Sequence, residues 1–470
     1  MSDDATQIER LKTLLAAQKA AFKADRQRSA EERKADIGKV GDLVKHHAED
    51  IMQAIAADYG VRACPETQIA EIGFTMSAAK HAQSHVSKWM KPKKASVPLT
   101  LAPGKAYVRR EPKGVAGIIS PWNYPLQLAL TPLIAALSAG CRAIIKPSEL
   151  TPRTSELMAR MLAEAFDDNH VAVVTGGPAV GEAFSTLEWD HLFYTGSTHV
   201  GRLVAMAAAD NLVPVTLELG GKSPAIITDD YDLEQAAKPL TWGKYFNAGQ
   251  TCIAPDYVLA PKDKVRATGE AVLAEVQHFF PEPGSDGDYT AIISDKHHQR
   301  LSEMIEEARA GGATILQPEM GETGNARKIA PTIVLDPPLN SRMMTEEIFG
   351  PILPVVGYET LNDAISFVNE RDHPLALYVY AKDKTVARRV LDATLSGGAS
   401  INASMLHMSV EGMPFGGVGK SGQGAYHGEH GFLTFSHERA VFEAPVWHPS
   451  RWIAPPYGKT FDFIAKLQAK

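Results

Sequence analysis

Cys252 stands in the run Asn247-Ala248-Gly249-Gln250-Thr251-Cys252-Ile253. A glycine turn leading into an apolar stretch can set a thiol at a helix N-terminus, where amide dipoles favour the nucleophilic thiolate. A lone cysteine is equally at home as a small, inert, buried side chain. Glu218 lies in Leu217-Glu218-Leu219-Gly220-Gly221-Lys222-Ser223-Pro224. Burial between leucines would raise its carboxyl toward neutrality and suit it as a general base. On an edge strand it would instead pair with Lys222. Asn123 sits in Pro121-Trp122-Asn123-Tyr124-Pro125. Two prolines fix a turn there, and an amide at such a turn can donate to a developing oxyanion. The same turn also reads as a structural corner packed around its tryptophan.

Two further runs carry nucleotide-type chemistry. Lys146-Pro147-Ser148-Glu149 ends a strand, where a lysine and a glutamate could hold ribose hydroxyls or form a solvated pair. Gly196-Ser197-Thr198-His199-Val200-Gly201 opens a helix running towards Ala209. Its glycines and helix N-terminus suit a phosphate, and they also suit an ordinary capped turn. It is not the G-x-G-x-x-G fingerprint, and Arg202 stands where a phosphate-binding loop needs lysine. Gly419-Lys420-Ser421 fails that test too, with Pro414 in place of the first glycine. His297 and His298 are adjacent, so they do not share a helix face, and we expect solvent exposure rather than a metal pair.

These runs need a scaffold. Ile8, Leu11, Leu15 and Phe22 follow one helix face, with Gln18 as a polar break. Ser29 and Glu32 form a capping box, and the next helix carries Ile37, Val40, Val44, Ile51 and Ile55. From about residue 95, short β-rich runs alternate with helical ones. Val115–Ile119, Ala143–Ile145, Val171–Val174, Phe193–Tyr194 and Pro224–Ile227 are the strand candidates. The alternation predicts a parallel sheet with helical crossovers, with ligands at the carboxyl ends of its strands. A second α/β pattern follows residue 219, and Pro281 to Asp288 reads as a loop within it. Trp447 to Tyr457 reads as an irregular tail packed on a surface.

The chain has 470 residues, with Lys+Arg 48 against Asp+Glu 55, a net charge of -7. That excludes a nucleic-acid binder working through bulk charge. The 3 cysteines make no disulfide framework and point to a reducing, cytoplasmic setting. The acidic N-terminus from Met1 to Asp4 carries no secretory signal. Gly114 to Cys141 lacks charge, but Pro121, Pro125 and Pro132 interrupt it. A buried strand, turn and helix fit it better than a membrane span.

Taken in order, P-W-N, K-P-S-E, G-S-T-x-V-G, L-E-L-G-G-K-S-P, G-Q-T-C, E-E-I-F-G-P and P-F-G-G-V-G-K-S-G resemble the NAD(P)-dependent aldehyde dehydrogenase superfamily. The run Gly249 to Leu259, with Tyr426-His427-Gly428 and Phe435-Ser436-His437, is similar to its class 3 branch. Asp58-Tyr59-Gly60-Val61-Arg62, Glu66-Thr67 and Trp89-Met90-Lys91-Pro92 look most like bacterial coniferyl aldehyde dehydrogenases.

The resemblance implies an α/β fold: a Rossmann-type cofactor domain, an α/β catalytic domain and a small β oligomerisation element. The cofactor domain would span residues 1–94 and 114–217, and the catalytic domain 218–413. The oligomerisation element would take 95–113 and 430–446, leaving 447–470 as a tail. The resemblance makes Cys252 the nucleophile, Asn123 the oxyanion donor and Glu218 the base that hydrolyses a thioester. Trp122, Lys146, Glu149, Gly196, Ser197, Gly201, Glu347 and Phe349 match cofactor positions; Tyr124, Leu128 and Phe246 match the aldehyde tunnel. It implies NAD, with NADP also open, no metal, and a homodimer acting on an aromatic or medium-chain aldehyde. A CoA-acylating enzyme of the same fold commonly lacks the glutamate present here as Glu218. A cysteine-dependent esterase would need a histidine beside Cys252.

Overall fold

The computed structural model describes residues 4–285, 287–446, 450 and 453–468. Met1 to Asp3 and Trp447, both part of the sequence reading, lie outside the described residues.

The strands fall into three sheets. In chain order they are β1 (Lys93–Ala95), β2 (Lys105–Pro112), β3 (Val115–Ile119), β4 (Arg142–Lys146), β5 (Val171–Val173) and β6 (His191–Thr195). Next come β7 (Val215–Glu218), β8 (Pro224–Ile227), β9 (Tyr257–Pro261), β10 (Thr314–Leu316) and β11 (Thr332–Leu335). The last are β12 (Ile352–Tyr358), β13 (Ala376–Tyr380), β14 (Gly398–Ile401), β15 (Gly422–Gln423) and β16 (Ser436–Glu443). The first large sheet runs β15-β7-β6-β3-β4-β5, and the second runs β10-β11-β12-β9-β8-β13-β14. Both are parallel apart from the edge strands β15 and β10. The central strands of the first sheet are buried along their whole length, which is why their middles read as short apolar runs.

In the first sheet the chain moves outward from β3 to β4 and β5, then returns to the other side of β3 as β6 and β7. The reversal between β3 and β6 is the crevice where open α/β sheets take ligands. Register brings Ile119 level with Lys146 and Tyr194, and Thr195 level with Glu218. Glu218 thus ends a strand of the first sheet rather than opening the second unit. β15 returns to pair with it from a much later point in the chain.

Helices Asp4–Ala24, Ala30–His46, Ala48–Tyr59 and Phe74–Trp89 precede the first large sheet. The sequence reading had one long helix through Ile55; the structure has two, divided at His47 (φ -95°, ψ 19°), outside the helical well. Gln18 is the polar member of the buried face of the first helix, as its spacing predicts. It is buried, and its amide donates to the carbonyls of Ala143 (3.1 Å) and Asp168 (3.0 Å). The Ser29–Glu32 capping box forms as expected.

The third sheet is antiparallel, in the order β1-β2-β16. It begins at Lys93, and residues 428–434 form a helix ahead of β16 rather than part of the sheet. Ile453 to Tyr457 is irregular but exposed, not packed, and Lys459–Gln468 is helical. Among the described residues no helix is long and apolar enough to cross a membrane. Residues 114–141 form β3, a turn and the buried helix Gln127–Ala139.

Gly117 in β3 packs directly beneath two rings. A Cβ there would lie 2.7 Å from Phe184 and from Trp189. Gly117→Ala should therefore cost about 1–3 kcal/mol by overpacking, read as a lower denaturant midpoint. An unchanged midpoint would show that this layer can relax.

Candidate active site

The carboxyl edge of the first sheet faces the amino edge of the second. Pro121, Trp122 and Asn123 follow β3; Thr195, Gly196 and Ser197 end β6; Glu218 ends β7. From the other side come Cys252, before β9, and Glu347 and Phe349, before β12. Together with Leu128, Leu219, Gly220, His297 and Arg300 they line an open cavity. A second cavity, of about 420 Å³, shares Cys252, Glu218, Thr195, Leu128 and Leu219 with it. The thiol and the carboxyl therefore stand in the wall between two chambers.

Cys252 is half-buried in a turn, not at a helix N-terminus. Pro255 follows closely, and the chain passes into β9. The preceding loop is strained: Asn247 (φ 53°) and Ala248 (φ 49°) are both left-handed without being glycine. Burial first, then the nearby carboxyls of Glu347 and Glu218, push the thiol up to about 12. The lowered value expected from the sequence is not what this environment gives. Glu218 is 3% exposed, and neither carboxyl oxygen has a hydrogen-bond partner. Burial alone raises it well above the usual carboxylate range. It does not pair with Lys222, whose ammonium meets Asp256 instead.

Asn123 is 3% exposed, and its side-chain amide donates to the Gln250 carbonyl at 3.1 Å. An amide NH₂ carries two hydrogens, so one donor remains for a ligand.

The larger cavity is bounded by aromatic rings. Trp122 meets Phe349 edge-on at 5.4 Å and His297 at 5.1 Å. Phe349 is another left-handed residue (φ 50°). Glu347 lies against Gly220, where any Cβ would come 2.0 Å from its Oε2. Burial, then Asp256, pushes Glu347 up to about 8. Ser197 lines this cavity and caps the helix Thr198–Ala209, accepting from the Val200 N–H, so that the helix begins at the cavity edge. Lys146 and Glu149 form an ion pair at 2.9 Å on β4 and just beyond it. They and Gly201 do not line this cavity; Gly201 packs against Leu219.

His297 and Arg300 also line this cavity; neither has a place in the site as read from sequence. His297 is half-buried on Trp122 rather than solvent-exposed, with its Nδ1 2.7 Å from the Ser294 hydroxyl. Burial, then Arg300, pushes it down. Arg300, three positions on and on the same face, donates to the Glu347 carbonyl at 3.3 Å and to that of Ile348. That spacing was the available signal, but which surface the helix faces is not local information. Among the described residues no cluster could hold a metal ion.

The smaller cavity is lined mainly by apolar surface. Tyr124, Leu128, Ile253, Leu375, Phe415 and Tyr426 form most of its wall. Tyr124 shares a 2.6 Å hydrogen bond with Thr251, beside the thiol. Phe246 does not join this wall; its ring leans on Trp242 at 5.4 Å.

The raised thiol has a measurable consequence. Protonation protects Cys252, so its alkylation in the free protein should climb roughly tenfold per pH unit from about pH 7 to about pH 9. Glu218→Gln removes a carboxyl that opposes the thiolate wherever it is ionised, so it should raise the rate most at the upper end of that range. A plateau below about pH 8 would contradict the assignment.

Known proteins share this arrangement. The aldehyde dehydrogenase family matches residues 3–441. A probable coniferyl aldehyde dehydrogenase of Caulobacter vibrioides is 45% identical over 457 residues, covering 95% of this chain and 94% of its own. AldH of Staphylococcus aureus, in a substrate-bound state, superposes with a TM-score of 0.92 at 36% identity, covering 97% of this chain and 99% of its own. A Mycobacterium tuberculosis aldehyde dehydrogenase complexed with NAD+ gives a TM-score of 0.83 at 30% identity, over 92% and 89% of the two chains. With a family match across nearly all of its length, and a thiol and a carboxyl meeting where two α/β sheets face each other, the chain belongs to the aldehyde dehydrogenase family, oxidoreductases that act on aldehydes.

Proposed function

We propose that this enzyme oxidises an aromatic, coniferyl-type or medium-chain aldehyde to the free acid through an acyl group on Cys252. The observation that carries this is the shared wall: Cys252 and Glu218 both border the aromatic-lined cavity and the apolar one. The aldehyde lies in the apolar chamber; Cys252 gives up its proton to solvent, and the thiolate attacks the carbonyl carbon, forming the C–S bond of a thiohemiacetal while the C=O π pair moves to oxygen. The free hydrogen of the Asn123 amide and the Cys252 main-chain N–H donate to the oxyanion. NAD, when bound, supplies the hydride acceptor and a positive charge that favours the thiolate. Trp122, Ser197, Glu347 and Phe349 would hold it, with Gly196 allowing close approach and Lys146 and Glu149 taking ribose hydroxyls. Loss of hydride from the thiohemiacetal carbon leaves a thioester on Cys252. Glu218 then takes a proton from the water that attacks this thioester. Its lack of any hydrogen-bond partner supports that role.

The apolar wall of Tyr124, Leu128, Phe415 and Tyr426 supports an uncharged, flat or extended substrate. The name of the Caulobacter relative favours the coniferyl type. The Glu149 carboxylate would repel a 2′-phosphate, favouring NAD over NADP. The free edge of β16 and the exposed helix Lys459–Gln468 support a homodimer. The free thiols support a reducing, cytoplasmic setting.

The test is turnover of aromatic and aliphatic aldehydes with NAD and with NADP, with the acid product identified. We expect free acid without CoA, faster turnover with NAD, and a loss of roughly 100-fold or more in Asn123→Ala. A requirement for CoA, or full turnover in Asn123→Ala, would overturn this mechanism.

A further inference from the structure

We propose that Arg62 is a positioning residue for the oxyanion step; this rests on the reading of Asn123 as the oxyanion donor. Arg62 lines neither cavity. Its side chain is buried, and its Nη1 donates to the Asn123 main-chain carbonyl at 2.9 Å. The same oxygen accepts from the Tyr59 hydroxyl (3.1 Å) and from Asn247 Nδ2 (3.1 Å). A carbonyl offers two lone pairs, so this one is saturated and its peptide plane cannot turn. The side chain on that peptide is the amide that reaches Gln250.

The guanidinium also sits between two rings, 5.0 Å from the centroids of both Tyr59 and Tyr124. Tyr124 is the wall residue bonded to Thr251, next to the nucleophile. Behind the cation stand two buried carboxyls. Glu71 accepts from the N–H groups of Leu126 and Gln127 and lies 3.9 Å from Arg62 Nη2. Glu66 accepts from the Asn247 N–H (2.9 Å) and the Thr290 hydroxyl (2.7 Å). One cation therefore spans the turn after β3, the start of the next helix and, through the Asn123 carbonyl it shares with Asn247, the strained loop before Cys252.

A buried cation is a costly way to gain stability alone, because apolar packing does as well or better. Nε and Nη2 of Arg62 have no hydrogen bond. What arginine adds is a planar group that donates and stacks at once, which lysine cannot do.

The experiment places Arg62→Lys and Tyr59→Phe in the native and the Asn123→Ala backgrounds. It reads kcat, both KM values and the thermal midpoint. In the native background we expect Arg62→Lys to lose roughly tenfold in kcat with the KM for NAD within about twofold, and Tyr59→Phe to lose about threefold. In Asn123→Ala each should cost less than about twofold more, because the group being positioned is already gone. Full kcat in Arg62→Lys, or losses that multiply unchanged in Asn123→Ala, would overturn the proposal. Tyr59→Phe decides by the same criterion if Arg62→Lys does not fold. Full turnover in Asn123→Ala alone would instead sink the oxyanion reading itself.

Discussion

A buried carboxyl group with no hydrogen-bond partner in the protein is the constraint around which this molecule is arranged. Leaving Glu218 unpaired costs on the order of 1–3 kcal/mol or more. Its place in the sheet makes the cost sustainable. The residue ends β7, fixed on one side by parallel pairing with Thr195 and on the other by antiparallel pairing with Gly422. Its backbone has no freedom to carry the side chain out to solvent. The candidate ammonium, Lys222, is engaged by Asp256. The carboxyl is left with only a ligand or a water to meet.

The second ingredient is the way the two parallel sheets confront one another. The first presents its carboxyl edge, where loops are free to vary over a rigid frame. The second presents its amino edge, so Cys252, Glu347 and Phe349 all arrive on segments that lead into strands. Left-handed backbone at Asn247, Ala248 and Phe349 concentrates at this meeting. Such conformations persist only where surrounding contacts over-determine them, and they cluster at functional sites. Glu66, from the short helix Cys64–Thr67, supplies one of those contacts by accepting from the Asn247 N–H.

Much of this was visible in the sequence, for physical reasons that differ by element. The strands Val115–Ile119 and Arg142–Lys146 are buried on both faces, so they write themselves as short β-rich runs. Glu218 was recognisable because a carboxyl between leucines conflicts with its surroundings. The helix expected after Cys252 fails because Pro255 biases Ala254 away from helical angles and the chain passes into β9 at Tyr257. Arg62 gave no local signal of its role, since its partners lie at Asn123, Tyr124 and Glu71. His297 depended on how its helix approaches Trp122. Phe246 was misjudged because the kink that follows it lets the ring fold back on Trp242. The late helix Lys459–Gln468 was hidden behind a stretch rich in proline and aromatics.

The central claim is chemical: an acyl group forms on Cys252 and is released by water that Glu218 activates. The most direct measurement is the mass of the peptide containing Cys252 after Glu218→Gln is mixed with an aldehyde and NAD. The account predicts that this peptide gains the mass of the acyl group and that the adduct persists while product release stalls. Undiminished turnover with no adduct, or an adduct on another residue, would contradict it.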